Sequence, residues 1–378
     1  MVDERVLAER LISYDTSRPE DLVAAAGFVK GWLESRDIEV REYEHDGLPV
    51  LVSEVGPAGA AAPCVVFHAH LDVVPGQAEQ FEPRVEGDRL IGRGAYDMKG
   101  GLAAMMLAVK NLEGQRQVRV RLVCVPDEEA EELDARSTDK IVERGLGGNF
   151  AITGEPTDLH IGVEAKGVLA MQIEVHGRSA HSSTPWLGDN AVVKAVDAFR
   201  AIASLPFARE SSELFDRPSI NLGRIQGGDA VNRVPDECTM AVDIRYLPAQ
   251  DPGEILSQVR GIPGIEITRT FIHPPVTVAR NNPYVRTLGE AVSRSMSGQE
   301  VMSVGRDGAS DVVAFLQAGI PAVEFGPVGA GHHGPEEWVS LASLARYRRA
   351  LVDFVEVLPR RLEEGDTPGL QAIDGGLA

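Results

Sequence analysis

Cysteine is nearly missing. The three residues present, Cys64, Cys124 and Cys238, stand far apart and form no CxxC pair, which excludes a disulfide framework and a CxxC redox or metal motif. Basic residues are also scarce: 37 Lys and Arg against 57 Asp and Glu leave a formal charge of −20. That balance argues against the clustered positive surface that nucleic acid requires and disfavours an anionic membrane. The surplus of acid reads as a solubility device rather than a binding surface. No apolar run reaches the roughly 20 residues that span a bilayer. The start Met1-Val2-Asp3-Glu4-Arg5 lacks the basic-then-apolar order of a secretion signal. A cytoplasmic protein with reduced thiols is expected, with no nucleic-acid or membrane partner.

What is present is the composition of an ordinary globular protein, 43% hydrophobic and 25% charged. A chain of 378 residues exceeds one typical core, so two domains are expected. Residues 4–14 and 19–35 carry apolar side chains at helical spacing, the second with Pro19 at its start. Residues 38–43 and 50–55 read as strands, and 64–69, 118–125 and 150–153 as apolar runs of strands buried on both faces. Between them 100–112 is helical, with Leu102, Met105, Met106 and Val109 on one stripe. Strand-then-helix order with short links predicts a mostly parallel sheet with helices on both faces.

From about Lys166 the texture changes. Residues 168–175 and 237–245 alternate, with Met240, Val242 and Ile244 facing one way and Asp243 and Arg245 the other. Such alternation suits antiparallel strands with one wet face. Helical stretches near 190–203 and 252–260 accompany them, and after Pro274-Pro275 the helix–strand order resumes with 283–296, 311–316, 322–325 and a final helix near 341–362. The expected architecture is an α/β domain, residues 1–166 and 276–378, interrupted by an inserted α+β domain, 167–275. The tail 365–378, rich in Gly and small residues, is expected to be loosely held.

The polar residues at strand ends carry the chemistry. His70 closes the run 64–69, at the carboxyl end where open α/β sheets build their sites. Asp72 is placed to accept the histidine's other N–H and so fix its tautomer. His68, one strand period earlier, faces the same way and is a rival. Asp97 lies in Gly92-Arg93-Gly94-Ala95-Tyr96-Asp97-Met98-Lys99-Gly100-Gly101, just before a helix. An N-cap would be its ordinary use, and neither a phosphate loop nor a full dinucleotide fingerprint is present. Gly100 and Gly101 look like room for close backbone approach. Glu128 and Glu129 follow the run 118–125, Glu155 follows 150–153, and His332-His333 stand late in the chain with nothing in their own chemistry to separate them. Together these residues supply ligands for two zinc ions and leave one glutamate as a base. Oxygen and imidazole without thiolate suit a catalytic zinc site better than a structural one.

In order along the chain, His70-Leu71-Asp72-Val73-Val74-Pro75, the glycine-rich run 92–101, Asp127-Glu128-Glu129, Gly154-Glu155-Pro156-Thr157, Gly177-Arg178-Ser179-Ala180-His181 and His333-Gly334-Pro335-Glu336-Glu337-Trp338 are the motifs in question. They resemble those of the dizinc aminoacylase, succinyl-diaminopimelate desuccinylase, acetylornithine deacetylase and glutamate carboxypeptidase family. The resemblance covers nearly the whole chain, and its last motif favours His333 over His332. It implies that His70 and Glu155 complete one zinc, Glu129 and His333 the other, that Asp97 bridges them, and that the peptide following this aspartate, Asp97-Met98, is cis. Asp72 would orient His70, and Glu128 would be the general base for the attacking water. The inserted domain would be a dimerisation lid whose His181 reaches the partner subunit's site and steadies the oxyanion. Asn232 and Arg245 would grip a substrate carboxylate, and the loop 308–311, with Ser310 as a further substrate-binding residue, would lie near the same end.

The function implied is metal-dependent hydrolysis of an N-acyl amino acid by a homodimer. Cleavage of a peptide bond by a carboxypeptidase or dipeptidase is the alternative, and a silent binding homologue a third. Cobalt or manganese could replace zinc on the same ligands. Where family members place Gly two residues after the glutamate pair, this chain runs Glu129-Ala130-Glu131-Glu132. Glu131 or Glu132 therefore remains a rival ligand. Lys166-Gly167 replaces an arginine found in some relatives, so specificity is expected to differ too.

Overall fold

A computed structural model describes residues 3–59, 62–130, 136–296, 301–308 and 310–363. The rival ligands Glu131 and Glu132 and the tail 365–378 lie outside the described residues. Contacts divide the chain into two compact units, one formed by Met1–Val163, Val278–Val304 and Ser310–Ala378 and the other by Glu164–Thr277 with Gly305–Ala309.

The first unit is built on a mostly parallel sheet. Its order runs Val40–His45, Leu48–Val55, Arg119–Val125, Cys64–His70, Phe150–Thr153, Ala322–Glu324, then Ile161–Ala165. The four central strands from Arg119–Val125 to Ala322–Glu324 are parallel, so their carboxyl ends share one edge. Val65, Phe67, Val120, Leu122, Phe150 and Ile152 are all buried, as expected of strands covered on both faces. One cover packs helices Glu4–Ile12, Gly100–Asn111, Pro283–Ser295 and Leu341–Glu363 together. Leu102, Met105, Met106 and Val109 are wholly buried there. The other cover holds Ser137–Glu143 and Val312–Gln317, the latter against Phe150–Thr153 and Ala322–Glu324.

A second, smaller sheet was not legible in the sequence. Gly329–Ala330, Trp338–Ser340, Arg89–Ile91 and Arg84–Glu86 pair antiparallel. Strands of two or three residues show no periodicity, yet this sheet brings the loop 331–337 beside the turn that carries Asp97. At that turn Gly100 is required: a Cβ would stand 2.3 Å from the Ala95 carbonyl oxygen.

The inserted unit is an α+β sandwich. Its sheet runs Ser219–Gly227, Glu237–Tyr246, Gly167–His176, Ile265–His273, antiparallel throughout. Leu169, Met171, Ile173, Val175, Met240, Val242 and Ile244 point inward against helices Ala191–Ile202 and Pro252–Arg260. The two edge strands carry register shifts at Leu222/Arg224 and Ile267/Arg269. A bulge reverses the in–out phase partway along a strand, which is why neither edge reads as an alternating run.

Candidate metal centre

The carboxyl edge of the parallel strands gathers the candidate ligands. His70 is the last residue of its strand and is wholly buried. Its Nδ1 lies 3.0 Å from the main-chain carbonyl of Asp72 and 3.5 Å from the Asp72 carboxylate. A proton held on Nδ1 by those acceptors leaves Nε2 as the ligand atom. The Asp72 carboxylate also accepts the N–H groups of Glu128 at 3.2 Å and Glu129 at 2.7 Å. One aspartate thus ties the His70 strand end to the glutamate pair.

Asp97 faces two ways. Its Oδ1 lies 3.2 Å from His70 Nε2, and its Oδ2 lies 3.5 Å from His333 Nε2. On the first side Glu155 Oε1 stands 3.8 Å from His70 Nε2, and on the second Glu129 Oε1 stands 2.9 Å from His333 Nε2. The sets His70–Asp97–Glu155 and Asp97–Glu129–His333 each offer three ligand atoms within 4.8 Å of one another, as do His70, Glu128 and Glu129. The Asp97-Met98 peptide is cis.

The residues fit a pair of cations. Glu155 Oε1 is buried and has no hydrogen-bond partner among the described residues, an arrangement that costs free energy unless positive charge meets it. The protonation equilibria carry the same signature. Burial pushes the Glu155 carboxyl well above its ordinary range, and the charge of Asp97 adds to it. Burial opposes a charge on His70, yet the hydrogen bonds of Asp72 and Asp97 and the charge of Glu155 hold it well above the usual imidazole value. Hydrogen bonds donated to Asp97 and Glu129 raise His333 to about 10. The donor set, oxygen and nitrogen without sulfur, suits zinc, cobalt or manganese.

Two groups unmarked by the sequence hold this arrangement. Glu337 Oε1 accepts the N–H groups of Tyr96 at 2.9 Å and Asp97 at 3.0 Å. Arg93 donates to Glu337 Oε2 at 2.9 Å and to the His333 carbonyl at 3.3 Å. This buried ion pair orients Asp97 and the His333 loop together. Both residues lay inside recognised motifs; nothing in a linear sequence says that they face each other.

The rival histidines separate clearly. His68 is wholly buried, with Nε2 2.9 Å from Thr138 Oγ1, and burial lowers it to about 4. His332 sets its ring edge-on to Tyr96 at 6.1 Å and joins no cluster of ligand atoms among the described residues. Glu128 lies beside the cluster with one oxygen 3.0 Å from Arg136. Burial pushes its carboxyl well above the ordinary range, the neighbouring Asp311 contributing next. Ser310 is buried and its hydroxyl donates to Glu324 at 2.6 Å.

His181, Asn232 and Arg245 belong to the inserted unit. His181 Nδ1 is engaged by Ser183, through the hydroxyl at 2.8 Å and the N–H at 3.2 Å, which leaves Nε2 without a partner among the described residues. The Asn232 carbonyl accepts the Ser182 N–H. Arg245 is half-buried and paired with Asp243 at 2.8 Å.

An α/β sheet whose parallel strands gather two sets of candidate cation ligands near their carboxyl edge, with a further carboxylate beside them, has the side chains a metal-dependent hydrolase requires. The chain belongs to peptidase family M20/M25/M40, whose profile matches residues 66–357, and it is accordingly a hydrolase of carbon–nitrogen amide bonds. A succinyl-diaminopimelate desuccinylase of Halorhodospira halophila is 28% identical over 382 residues, 93% of this chain and 97% of that protein. An acetylornithine deacetylase of Myxococcus xanthus is 31% identical over 324 residues, 81% and 83% of the two chains. Among solved structures, a M20 family metallo-carboxypeptidase from Sulfolobus solfataricus superposes with a TM-score of 0.77 at 20% identity, covering 95% of this chain and all of that one. Among the described residues no helix is long and apolar enough to cross a membrane.

Proposed function

We propose that the protein removes the acyl group from an N-acyl amino acid, in the manner of a desuccinylase or acetylornithine deacetylase, with two zinc ions at the cluster. The observation that carries this reading is the two-sided Asp97, with one ligand set on each oxygen and Glu128 alongside. Divalent cations held there supply Lewis-acid charge that makes water acidic and polarises an amide carbonyl. His70, Asp97 and Glu155 would hold one cation, and Asp97, Glu129 and His333 the other. Glu128 takes the proton from the attacking water and returns it to the departing amine, its two roles alternating. Asp72 fixes both the His70 tautomer and the main chain of the glutamate pair. The relatives named as desuccinylase and deacetylase support an acyl rather than a peptidyl substrate.

The test joins metal analysis to a substrate panel of N-succinyl-diaminopimelate, N-acetylornithine, other N-acyl amino acids and dipeptides. Zinc near two per chain with turnover of an acyl substrate is expected, and removing the metal with a chelator should abolish that turnover and cobalt restore it. Cleavage of dipeptides alone would make the protein a peptidase of the same family. Absence of both metal and turnover after zinc or cobalt is restored would sink the enzymatic reading.

The working form is proposed to be a homodimer in the cytoplasm, with His181 completing the partner's site and stabilising the oxyanion. Its support is the His181 Nε2, which has no partner among the described residues, and the exposed Trp186, Leu187 and Val231 on the same unit. Asn232, Arg245 and Ser310 are proposed to contribute to binding the substrate's carboxylate. His181→Ala should impair catalysis without changing metal content. Mixing His181→Ala chains with Glu128→Gln chains should restore about a quarter of wild-type activity, because half of a random mixture is heterodimer with one complete site. Failure to regain any activity on mixing would confine His181 to its own subunit.

A further inference from the structure

We propose that Arg136 is a positioning residue for Glu128, held in turn by the buried carboxylate of Asp311; this rests on Glu128 being the base. Arg136 Nη1 lies between two carboxylates, 3.0 Å from Glu128 Oε1 and 3.1 Å from Asp311 Oδ1. Asp311 is itself immobilised. Its Oδ2 accepts the Thr138 hydroxyl at 2.5 Å and stands 3.5 Å from His68 Nε2, and the edge of Phe315 closes the back of the His68 ring. His68 in turn meets Thr138 Oγ1 at 2.9 Å. A buried carboxylate fixed on that side can hold a guanidinium still, and a guanidinium has a planar, pre-organised set of donors.

The main chain of Arg136 is anchored as firmly. Its N–H donates to Asp139 at 3.0 Å, and the next residue, Ser137, gives both its N–H and its hydroxyl to Asp127 at 2.8 Å. Asp127 directly precedes Glu128, so the two ends of the segment between them are clamped to each other. Glu128 Oε1 is therefore held in place, while Oε2 meets no hydrogen-bond partner among the described residues. That is the oxygen left to face water. A glutamate alone has several rotamers at its disposal; one pinned oxygen removes that freedom before substrate arrives. Arg136 makes no hydrogen bond or ion pair with His70, Asp97, Glu129, Glu155 or His333, so its effect should fall on the base and leave the cations alone. Without it, Glu128 and Asp311 would face each other as like charges.

The experiment compares Arg136→Ala, Arg136→Lys and Glu128→Gln, each loaded with zinc, on the N-acyl amino acid that the wild type cleaves fastest. Arg136→Ala should lower kcat by about 10²-fold, the usual cost of a reacting group displaced by about 1 Å, with KM nearly unchanged. Zinc affinity measured by calorimetry should match the wild type. Millimolar guanidinium should restore part of the rate, and Arg136→Lys should retain part of it. A crystal structure of Arg136→Ala should show Glu128 turned away from its present position. Unchanged kcat, an unmoved Glu128, or lost zinc affinity without rescue by guanidinium would each overturn the proposal. Full turnover by Glu128→Gln would instead overturn the reading of Glu128 as base, so the two failures are distinguishable.

Discussion

Glu128→Gln is expected to keep its full complement of metal and to lose catalysis by on the order of 10³-fold, about 4 kcal/mol of activation free energy. The substitution changes one oxygen to nitrogen and alters no volume. The amide oxygen of Gln can still accept from Arg136, which now touches the carboxylate at 3.0 Å, so the side chain stays in place. What disappears is the ability to take a proton from water and hand it on. Glu129, whose Oε1 is 2.9 Å from His333, is untouched, as are the other ligands. Metal content and kcat measured on one preparation decide the matter. Wild-type turnover would remove Glu128 as the base. Loss of a cation would exchange the roles of the two neighbours and make Glu128 a ligand.

The second large effect separates adjacent histidines. His333→Ala should lower zinc to near one per chain, with affinity for the second ion weakened by more than about 10²-fold, since losing even an outer partner of a ligand costs 10–100-fold. His332→Ala should leave two. The backbone at His333 adopts a left-handed φ of 60°, uncommon for a residue with a side chain. That turn is secured by the Gly334 N–H on the Gly331 carbonyl at 2.8 Å, by Arg93 on the His333 carbonyl and by Gln80 on the Gly334 carbonyl at 3.0 Å. It sends the two rings in different directions, one to the cluster and one to Tyr96. Zinc titration of both variants reads the outcome directly; loss of metal in His332→Ala would reverse the assignment.

How much was legible in the sequence depended on the kind of order involved. Strands such as Phe150–Thr153 and helices such as Pro252–Arg260 declare themselves because burial imposes a period on apolar residues. His70, the Glu128-Glu129 pair and Glu155 were legible because each stands at or just past the end of such a strand, whereas Asp97 and His333 were marked only by the motifs of the family resemblance. The edge strands of the inserted unit were hidden by their bulges, and the small sheet by its brevity. Residues acting through side-chain partners far along the chain were hidden more deeply. Arg93 and Glu337 meet across 244 residues, and Arg136 and Asp311 across 175. No local pattern encodes such a pairing. The choice between His68 and His70 turned on where a strand ends: both face one way, but only His70 reaches the edge, while His68 is enclosed beneath Thr138 and Phe315.

The two ligand sets are also unequal in when they become available during synthesis. His70, Asp97 and Glu155 all emerge from the ribosome within the first half of the chain. The set on the other oxygen of Asp97 cannot be completed until His333 appears, 204 residues after Glu129. At about 5–20 residues per second, that interval is roughly 10–40 s. The first proposed set is itself complete only once Glu155 appears, so one full set and the open Asp97–Glu129 carboxylate pair would coexist for the later part of that interval. On the proposed assignment, a fragment ending before residue 333 would lack the second ligand set and would hold at most the first ion.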